Sequence, residues 1–175
     1  VISGKALRIE EKHIRPKERG TDGVKGITIA SDKEEVIGMI CVKNPQEETV
    51  LVVSEKGYGK RTFIDDVDGE PVYRITNRGG KGVKTISISE KTGQLVAMKT
   101  VHDEDDLMII KKSGVAIRMS VSDIRTMGRS TQGVRLISLK GDDEIAAVAK
   151  IINEDEDETE INDDLDVTNG ETTEE

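Results

Sequence analysis

The sequence predicts an all-β protein of propeller-like blades, and three observations support this fold class. A layout of six positions recurs in residues 14–29, 73–88 and 124–139. Short β-type runs lie before and after each copy, which gives four predicted strands per repeat. No stretch shows the periodicity of an amphipathic helix. Repeats of roughly 50 residues with four strands each are typical of propeller blades, so we expect about three blades here.

Each copy of the layout combines arginines, a glycine and a β-type run. It opens with an aliphatic or aromatic residue and an arginine, and a second arginine follows four residues later. A glycine comes nine residues after the opening residue, followed by valine, a base and, two residues beyond the base, isoleucine. These glycines are Gly23, Gly82 and Gly133, which lie 59 and then 51 residues apart. An insertion at residues 65–71 in the middle repeat accounts for part of the difference.

The strand positions follow from the glycines and from the apolar runs. Gly4, Gly57 and Gly114 each stand between two β-type runs, and we expect a hairpin turn at each of them. The Gly-Val-base runs predict strands over 24–29, 83–88 and 134–139. After a polar turn, a second apolar run predicts strands over 36–42, 95–101 and 145–152.

The apolar residues of the chain are almost all aliphatic, which limits the kind of core it can form. There is no tryptophan, and Phe63 is the single phenylalanine, so any core must be aliphatic. The single cysteine, Cys41, lies in an apolar run and is predicted to be a small buried hydrophobe. One cysteine cannot form an internal disulfide, which favours a reducing compartment. No signal peptide or membrane-spanning apolar run is recognisable, so the sequence predicts a soluble, cytoplasmic protein.

The net charge of −9 conceals two regions of opposite sign. Twelve of the 35 acidic residues lie in residues 154–175, which contain no Lys or Arg. Residues 1–153 therefore carry 23 acids against 26 bases, a net charge of +3. Because segment 154–175 has few aliphatic residues and no periodicity, it is predicted to be a disordered tail after a folded domain at residues 1–153.

The repeated bases predict a binding edge for a polyanion. Equivalent loops of a stacked array fall on one edge, so in-register arginines and lysines would form a regularly spaced basic rim. Duplex DNA carries a negative charge about every 1.7 Å along its axis, and its binding is dominated by counterion release. Glycines let the backbone approach phosphates and offer N–H groups. With few aromatic residues for stacking on single strands, the pattern favours shape-driven binding of bent duplex DNA with little sequence preference.

No catalytic, metal or cofactor site is recognisable, so the chain is predicted to be a binding module. Residues 79–82 lack the glycine spacing and the Ser or Thr of a phosphate-binding P-loop. His13 and His102 have no Cys or His partners at metal-ligand spacing. Tyr73 stands where the other copies have isoleucine and is predicted to pack in the core. Tyr58 lies at a hairpin turn, where it either contacts DNA or is simply exposed.

Three motifs resemble the C-terminal domain of the DNA gyrase A subunit. They are YGKR at 58–61 after a turn glycine, RGGKGV at 78–83 and GRSTQGV at 128–134. The resemblance covers essentially all of residues 1–153, and the acidic end resembles the tail of that subunit. It implies a β-pinwheel, in which four-stranded blades exchange strands with their neighbours. This chain would form roughly the last half of such a domain.

A box motif of that family reads Gln, a base, Arg, Gly, Gly or Lys, a base and Gly. Residues 78–82 match its last five positions, whereas Thr76 and Asn77 depart from the first two. In the family the box that matters most lies in the first blade, so segment 76–82 resembles a degenerate copy in a later blade.

The resemblance also implies a function and partners. It implies non-sequence-specific binding, bending and wrapping of duplex DNA in support of ATP-dependent negative supercoiling by a type II topoisomerase. The implied partners are double-stranded DNA, the rest of the gyrase A subunit, and through it the ATPase B subunit. No membrane or cofactor is implied, and the location would be the bacterial cytoplasm at the nucleoid. The related domain of the topoisomerase IV A subunit is one alternative, and a propeller-like scaffold for protein interactions is another.

The acidic tail and the bases complete the expectations. The tail would either solubilise the protein or mimic DNA and compete for the basic rim. The bases expected to contact DNA are Lys5, Arg8, Arg15, Arg19, Lys25, Lys60, Arg61, Arg74, Arg78, Lys81, Lys84, Arg118, Arg125, Arg129 and Arg135.

Overall fold

A computed structural model describes residues 1–66 and 68–151, and within these residues the protein is built from strands. Two short 3-10 turns, at Glu11–His13 and Val121–Asp123, are the helical elements of this part of the chain. The all-β prediction is thereby confirmed. The strands are β1 (Lys5–Ala6), β2 (Thr49–Ser54), β3 (Tyr58–Phe63), β4 (Val83–Lys84), β5 (Leu95–Val101), β6 (Asp106–Lys111), β7 (Ala116–Ser120), β8 (Val134–Arg135) and β9 (Ile145–Ile151).

The two complete hairpins have the predicted turn glycines. β2 and β3 pair antiparallel around Gly57, and β6 and β7 pair around Gly114. Both glycines have positive φ, +79° and +85°, which a residue without Cβ adopts at little cost. β5 lies antiparallel on the other side of β2, and β9 lies on the other side of β6. The hairpin and the later apolar strand of one repeat therefore form three strands of one sheet.

The fourth strand of a blade comes from the next repeat. The complete sheet has the order β5-β2-β3-β8, and β8 belongs to the third repeat, whereas the other three strands belong to the second. In the same way β1 of the first repeat pairs antiparallel with β4 of the second. Each Gly-Val-base strand thus completes the sheet of the preceding hairpin, as the resemblance to a strand-exchanging pinwheel implies.

The strands of the first repeat differ from the prediction. No strand is assigned within residues 24–29 or 36–42, and the Gly-Val-base strands of the other repeats are two residues long instead of six. A strand is defined by its pairing, and the described structure offers residues 24–29 no preceding hairpin to pair with. Cys41 is consequently exposed, which corrects the expectation that it is buried, and Met39 beside it is 89% exposed.

The core is aliphatic, as predicted, and divides into two clusters. One cluster centres on Leu51, Leu107 and Ile109 and joins the sheets of β2 and β6. The other packs Val52, Ile86 and Tyr73 between the first and second repeats. Tyr73 is 4% exposed and its hydroxyl lies 2.5 Å from Thr85 Oγ1, so its predicted packing role is confirmed.

Two further expectations concern the ends and surroundings of the fold. The predicted tail at 154–175 lies outside the described residues. Among the residues that are described, no helix has the length and apolar character needed to cross a membrane.

Candidate nucleic-acid interface

The three basic loops, residues 14–23, 73–82 and 124–133, lie next to one another along one edge of the array. The amide of Thr28 in the first copy donates to Gly80 O in the second at 2.8 Å. The amide of Ser87 in the second copy donates to Thr131 O in the third at 3.0 Å. We call Gly23, Gly82 and Gly133 the repeat glycines. Both donors come five residues after the repeat glycine of their copy and both acceptors two residues before theirs, so the two junctions are equivalent. Stacking in one register therefore places the loops in the order of the chain.

A second set of contacts joins each of the first two hairpins to the basic loop of the next repeat. The arginine four residues after the hairpin glycine donates to the opening residue of the next copy. Arg8 Nη1 lies 3.1 Å from Tyr73 O, and Arg61 Nε lies 2.8 Å from Ile124 O. Two loop amides donate back to the carbonyls of these arginines, Thr76 N to Arg8 at 2.9 Å and Met127 N to Arg61 at 2.8 Å. The hairpin arginines thus fix the start of the next basic loop.

The hairpin arginines are also neutralised by carboxylates. Arg8 forms an ion pair with Asp65 at 2.5 Å, and Arg61 forms one with Asp103. Arg118, the equivalent residue of the last hairpin, pairs with Asp106 at 2.6 Å and remains exposed. Because their charges are already matched, these three side chains contribute less positive potential than the sequence pattern suggested.

Lys60 is buried inside the protein instead of lying on its edge. Its side chain has no exposed surface, and its Nζ donates to Gly128 O at 2.5 Å, Arg129 O at 2.6 Å and Thr131 Oγ1 at 3.1 Å. Burial lowers the pKa of Lys60 to about 8, and the nearby Arg129 charge adds to this effect. Arg61 is buried as well, at 6% exposure. The expectation that Lys60 and Arg61 belong to an exposed rim is therefore wrong: both serve the junction between repeats.

The other predicted bases are accessible to different degrees. Lys5, Arg8 and Arg129 are half-buried, and Arg129 Nη1 donates to Lys84 O at 2.6 Å, which ties the third loop to the second repeat. The exposed bases are Arg15, Arg19, Lys25, Arg74, Arg78, Lys81, Lys84, Arg118, Arg125 and Arg135.

Tyr58 is buried, contrary to the expectation of a surface position at the hairpin turn. Lys91 Nζ and the guanidinium carbon of Arg135 each lie 5.5 Å from the centre of its ring. Arg135 Nη2 also donates to the Tyr58 hydroxyl at 3.1 Å, and this hydrogen bond is the largest cause of a lowered Tyr58 pKa. Arg135 is thus partly engaged by the protein, which the sequence pattern did not reveal.

The repeat glycines permit close packing between repeats, which sequence reasoning missed when it assigned them to phosphate approach. Gly82 and Gly133 have φ of +73° and +82°. A Cβ at Gly82 would lie 2.7 Å from Ala6 O, and one at Gly133 would lie 2.6 Å from Gly59 O. Gly23, which has no preceding hairpin in the described structure, would meet no atom within 4 Å. The fixed spacing of the three glycines was the available signal, because it recurs in register with the exchanged strand.

The edge has the chemistry of an anion-binding surface. It offers guanidinium and ammonium groups on loops that are held by backbone hydrogen bonds. Within residues 1–66 and 68–151, no cluster of three or more His, Cys, Asp or Glu side chains could hold a metal ion.

Comparisons with known proteins agree with this architecture. The sequence model of the family described as "DNA gyrase C-terminal domain, beta-propeller" matches residues 3–43, 48–68, 72–102 and 105–152. The DNA gyrase A subunit of Staphylococcus aureus strain NCTC 8325 is 46% identical over 153 residues, which cover 87% of this chain and 16% of the relative. The same subunit from strain MRSA252 is 45% identical over 154 residues, 88% of this chain and 17% of the relative. The chain therefore spans about one-sixth of the length of these curated relatives.

Two solved structures share the fold. The DNA gyrase A C-terminal domain superposes with a TM-score of 0.67 at 23% identity, over 86% of this chain and 48% of that one. The C-terminal domain of DNA topoisomerase IV superposes with a TM-score of 0.76 at 17% identity, over 88% of this chain and 46% of that one. The family match over most of the chain, the identity to gyrase A subunits and the exchanged strands agree. The chain belongs to the DNA gyrase C-terminal domain family and has its β-pinwheel fold.

Proposed function

We propose that this chain binds and bends duplex DNA along the edge formed by its three basic loops. The observation that carries the proposal is the equivalent pair of junctions, Thr28 to Gly80 and Ser87 to Thr131, which line up the loops in one register. Exposed bases stand on each loop, so a polyanion following this edge would meet positive charge three times at regular intervals. Binding by counterion release suits such a surface.

The edge favours recognition of the DNA backbone over recognition of bases. Tyr58 and Tyr73 are both buried, so Phe63, beside the third loop, is the single exposed phenylalanine or tyrosine ring among the described residues, and the edge has no row of rings for successive bases to stack on. Single-stranded nucleic acids are commonly held by stacking on aromatic rings, and shape-specific duplex binding relies on phosphate contacts instead. We therefore expect duplex binding with little sequence preference.

We further propose a role for the chain within a longer protein. The relatives of which it spans one-sixth are gyrase A subunits, and an edge that bends DNA would impose a handedness on the wrapped segment. In the proposal, residues 1–153 form the DNA-wrapping part and 154–175 an acidic tail. The parent would be a type II topoisomerase that works at the nucleoid, introduces negative supercoils and assembles with the ATPase B subunit.

The test is duplex affinity across a salt series. With about five phosphate contacts, the logarithm of the association constant should fall with the logarithm of salt concentration at a slope near −4.5. The triple variant R74E/R78E/K81E should flatten the slope by up to about 2.7, since each lost contact removes about 0.9. In the parent enzyme, the same variant should lower supercoiling activity with the B subunit.

A matched control uses exposed lysines away from the loops. Lys33 and Lys140 are exposed. Each lies in the polar turn that follows a Gly-Val-base segment, whereas the basic loop precedes that segment. The variant K33E/K140E should keep the salt slope of the unmodified chain. A flat salt response, or equal losses in both variants, would contradict the proposal and favour a scaffold whose contacts lie elsewhere.

The topoisomerase IV alternative has one observation in its favour, the TM-score of 0.76. That likeness at 17% identity shows the fold alone, whereas 46% identity to gyrase A subunits extends over most of the chain. We therefore propose a gyrase-type parent. Negative supercoiling by the reconstituted parent enzyme distinguishes the two.

A further inference from the structure

Lys60 is an unusual residue for the interior of a β-sheet protein. A fully buried ammonium is costly unless its hydrogens find acceptors. All three acceptors that surround Lys60 Nζ belong to one loop, at Gly128, Arg129 and Thr131. Lys60 itself lies in β3 of the preceding repeat, so the side chain crosses the junction between two repeats.

The fold does not require a lysine at this position. The equivalent residues, three after the hairpin glycine, are Leu7 in the first hairpin and Ile117 in the last. Leu7 occupies the same place at its junction, because a Cβ at Gly80 would lie 3.3 Å from its Cδ1. An aliphatic side chain therefore suffices for packing against the next loop. What the lysine adds at the second junction is hydrogen bonding to loop carbonyls.

The loop held by Lys60 contains one of the predicted DNA-contacting bases, Arg129. Arg125 lies three residues before the loop, where its carbonyl accepts from Arg61 N at 3.4 Å. Arg61 holds the residues just before this loop, through Ile124 O and Met127 N. Within residues 128–131, Thr131 O also accepts from Ser87 N, and Arg129 donates to Lys84 O. A loop rich in Gly, Ser and Thr has many accessible conformations, so an internal clamp on its carbonyls selects one of them.

We propose that Lys60 is a positioning residue, which fixes loop 128–131 from inside so that Arg129 faces the bound DNA backbone. The inference rests on the proposed function, and it assigns a role to a base that cannot itself reach a phosphate. At neutral pH the side chain carries all three hydrogens, one for each of its acceptors.

The experiment compares K60L with K56L in the full chain. K60L installs the aliphatic side chain that the first hairpin has at this place, and K56L removes an exposed lysine from the turn of the same hairpin. Amide hydrogen exchange in K60L should speed up by about fivefold or more at Ser87 and Thr131, as expected for the loss of one net hydrogen bond. The salt slope of duplex binding should flatten by about 0.9, the value for one phosphate contact. K56L should leave both quantities unchanged.

Three outcomes decide the matter. Unchanged exchange and slope in K60L, or exchange that rises evenly over the whole chain, would overturn the positioning role. If the unmodified chain does not bind DNA, the proposed function is overturned. A local rise in exchange in K60L would still show, in that case, that Lys60 fixes the loop. If K60L does not fold, T131V removes one acceptor from the loop side and should produce the same local change.

Discussion

At the scale of single residues, the repeat glycines matter because of backbone geometry. Gly82 and Gly133 combine a positive φ with a carbonyl of the preceding hairpin at less than 3 Å from any Cβ they could carry. Either feature alone disfavours a side chain, and together they fix glycine at this position. Gly23 has the same place in the sequence repeat but neither feature in the structure.

We predict that G82A and G133A each lower the free energy of unfolding by about 1–3 kcal/mol, the cost of holding a non-glycine residue at positive φ. The matched variant G23A should change it by less than about 0.5 kcal/mol. Urea denaturation followed by circular dichroism measures all three. Equal effects at the three positions would show that the glycine is needed for a local turn and not for contact between repeats.

The bases show that residue type does not determine exposure. Lys60 and Arg78 are both bases in β or loop segments of the second repeat, and only Arg78 is exposed. The difference is set by the neighbouring repeat, whose carbonyls cover the end of the Lys60 side chain. A sequence pattern identifies the bases of the edge as a group but not the individual members that are buried behind it.

At the scale of elements, the exchanged strand is the unit that joins the repeats. β4 pairs with β1, and β8 pairs with β3. In both cases the residue after the exchanged strand donates a hydrogen bond to a carbonyl of the preceding hairpin. Thr85 N donates to Gly4 O at 2.8 Å, and Leu136 N donates to Gly57 O at 2.9 Å. The exchange makes the stability of each repeat dependent on its neighbour.

Amide hydrogen exchange tests this dependence within one molecule. Thr85, Leu136 and Gly26 occupy equivalent positions, three residues after the repeat glycine. We predict that the first two amides exchange at least about tenfold more slowly than Gly26, because only they donate to a preceding hairpin. The rates are compared after correction for intrinsic exchange, by NMR. Similar protection at all three positions would mean that the Gly-Val-base strands are held by contacts within their own repeat.

At the scale of the whole molecule, the buried Lys60 links stability to pH. Burial lowers the pKa of this lysine from 10.5 to about 8 in the folded chain. Between these two values the unfolded chain binds more protons at this residue than the folded chain does. The contribution of Lys60 to the free energy of unfolding therefore rises with pH in this window, by roughly 1 kcal/mol per pH unit.

We predict that the free energy of unfolding of the unmodified chain, minus that of K60L, increases as pH rises from 8 to 10. Urea denaturation at several pH values measures it, and using the difference removes the titration of other groups. A difference that stays constant over this range would mean that the lysine titrates normally and is in contact with water.

The sequence by itself determined the fold class, the three repeats, both complete hairpins and the aliphatic core with Tyr73. Each of these is encoded locally, by turn glycines, by alternation of apolar residues and by repetition at a fixed spacing. It also indicated which loops carry the bases of the candidate edge. It did not reveal the exposure of Cys41, the short exchanged strands or the burial of Tyr58, Lys60 and Arg61.

Only the tertiary structure decided those features, and the physical reason is the same for all of them. Each depends on what the neighbouring repeat supplies, whether a hairpin edge, a carbonyl or a guanidinium group, some 60 to 80 residues away in the chain. Strand pairing and the solvation of a charge are properties of such long-range neighbours. The sequence repeat shows which positions are equivalent, and the packing of one repeat on the next determines which residues at those positions remain exposed to a ligand.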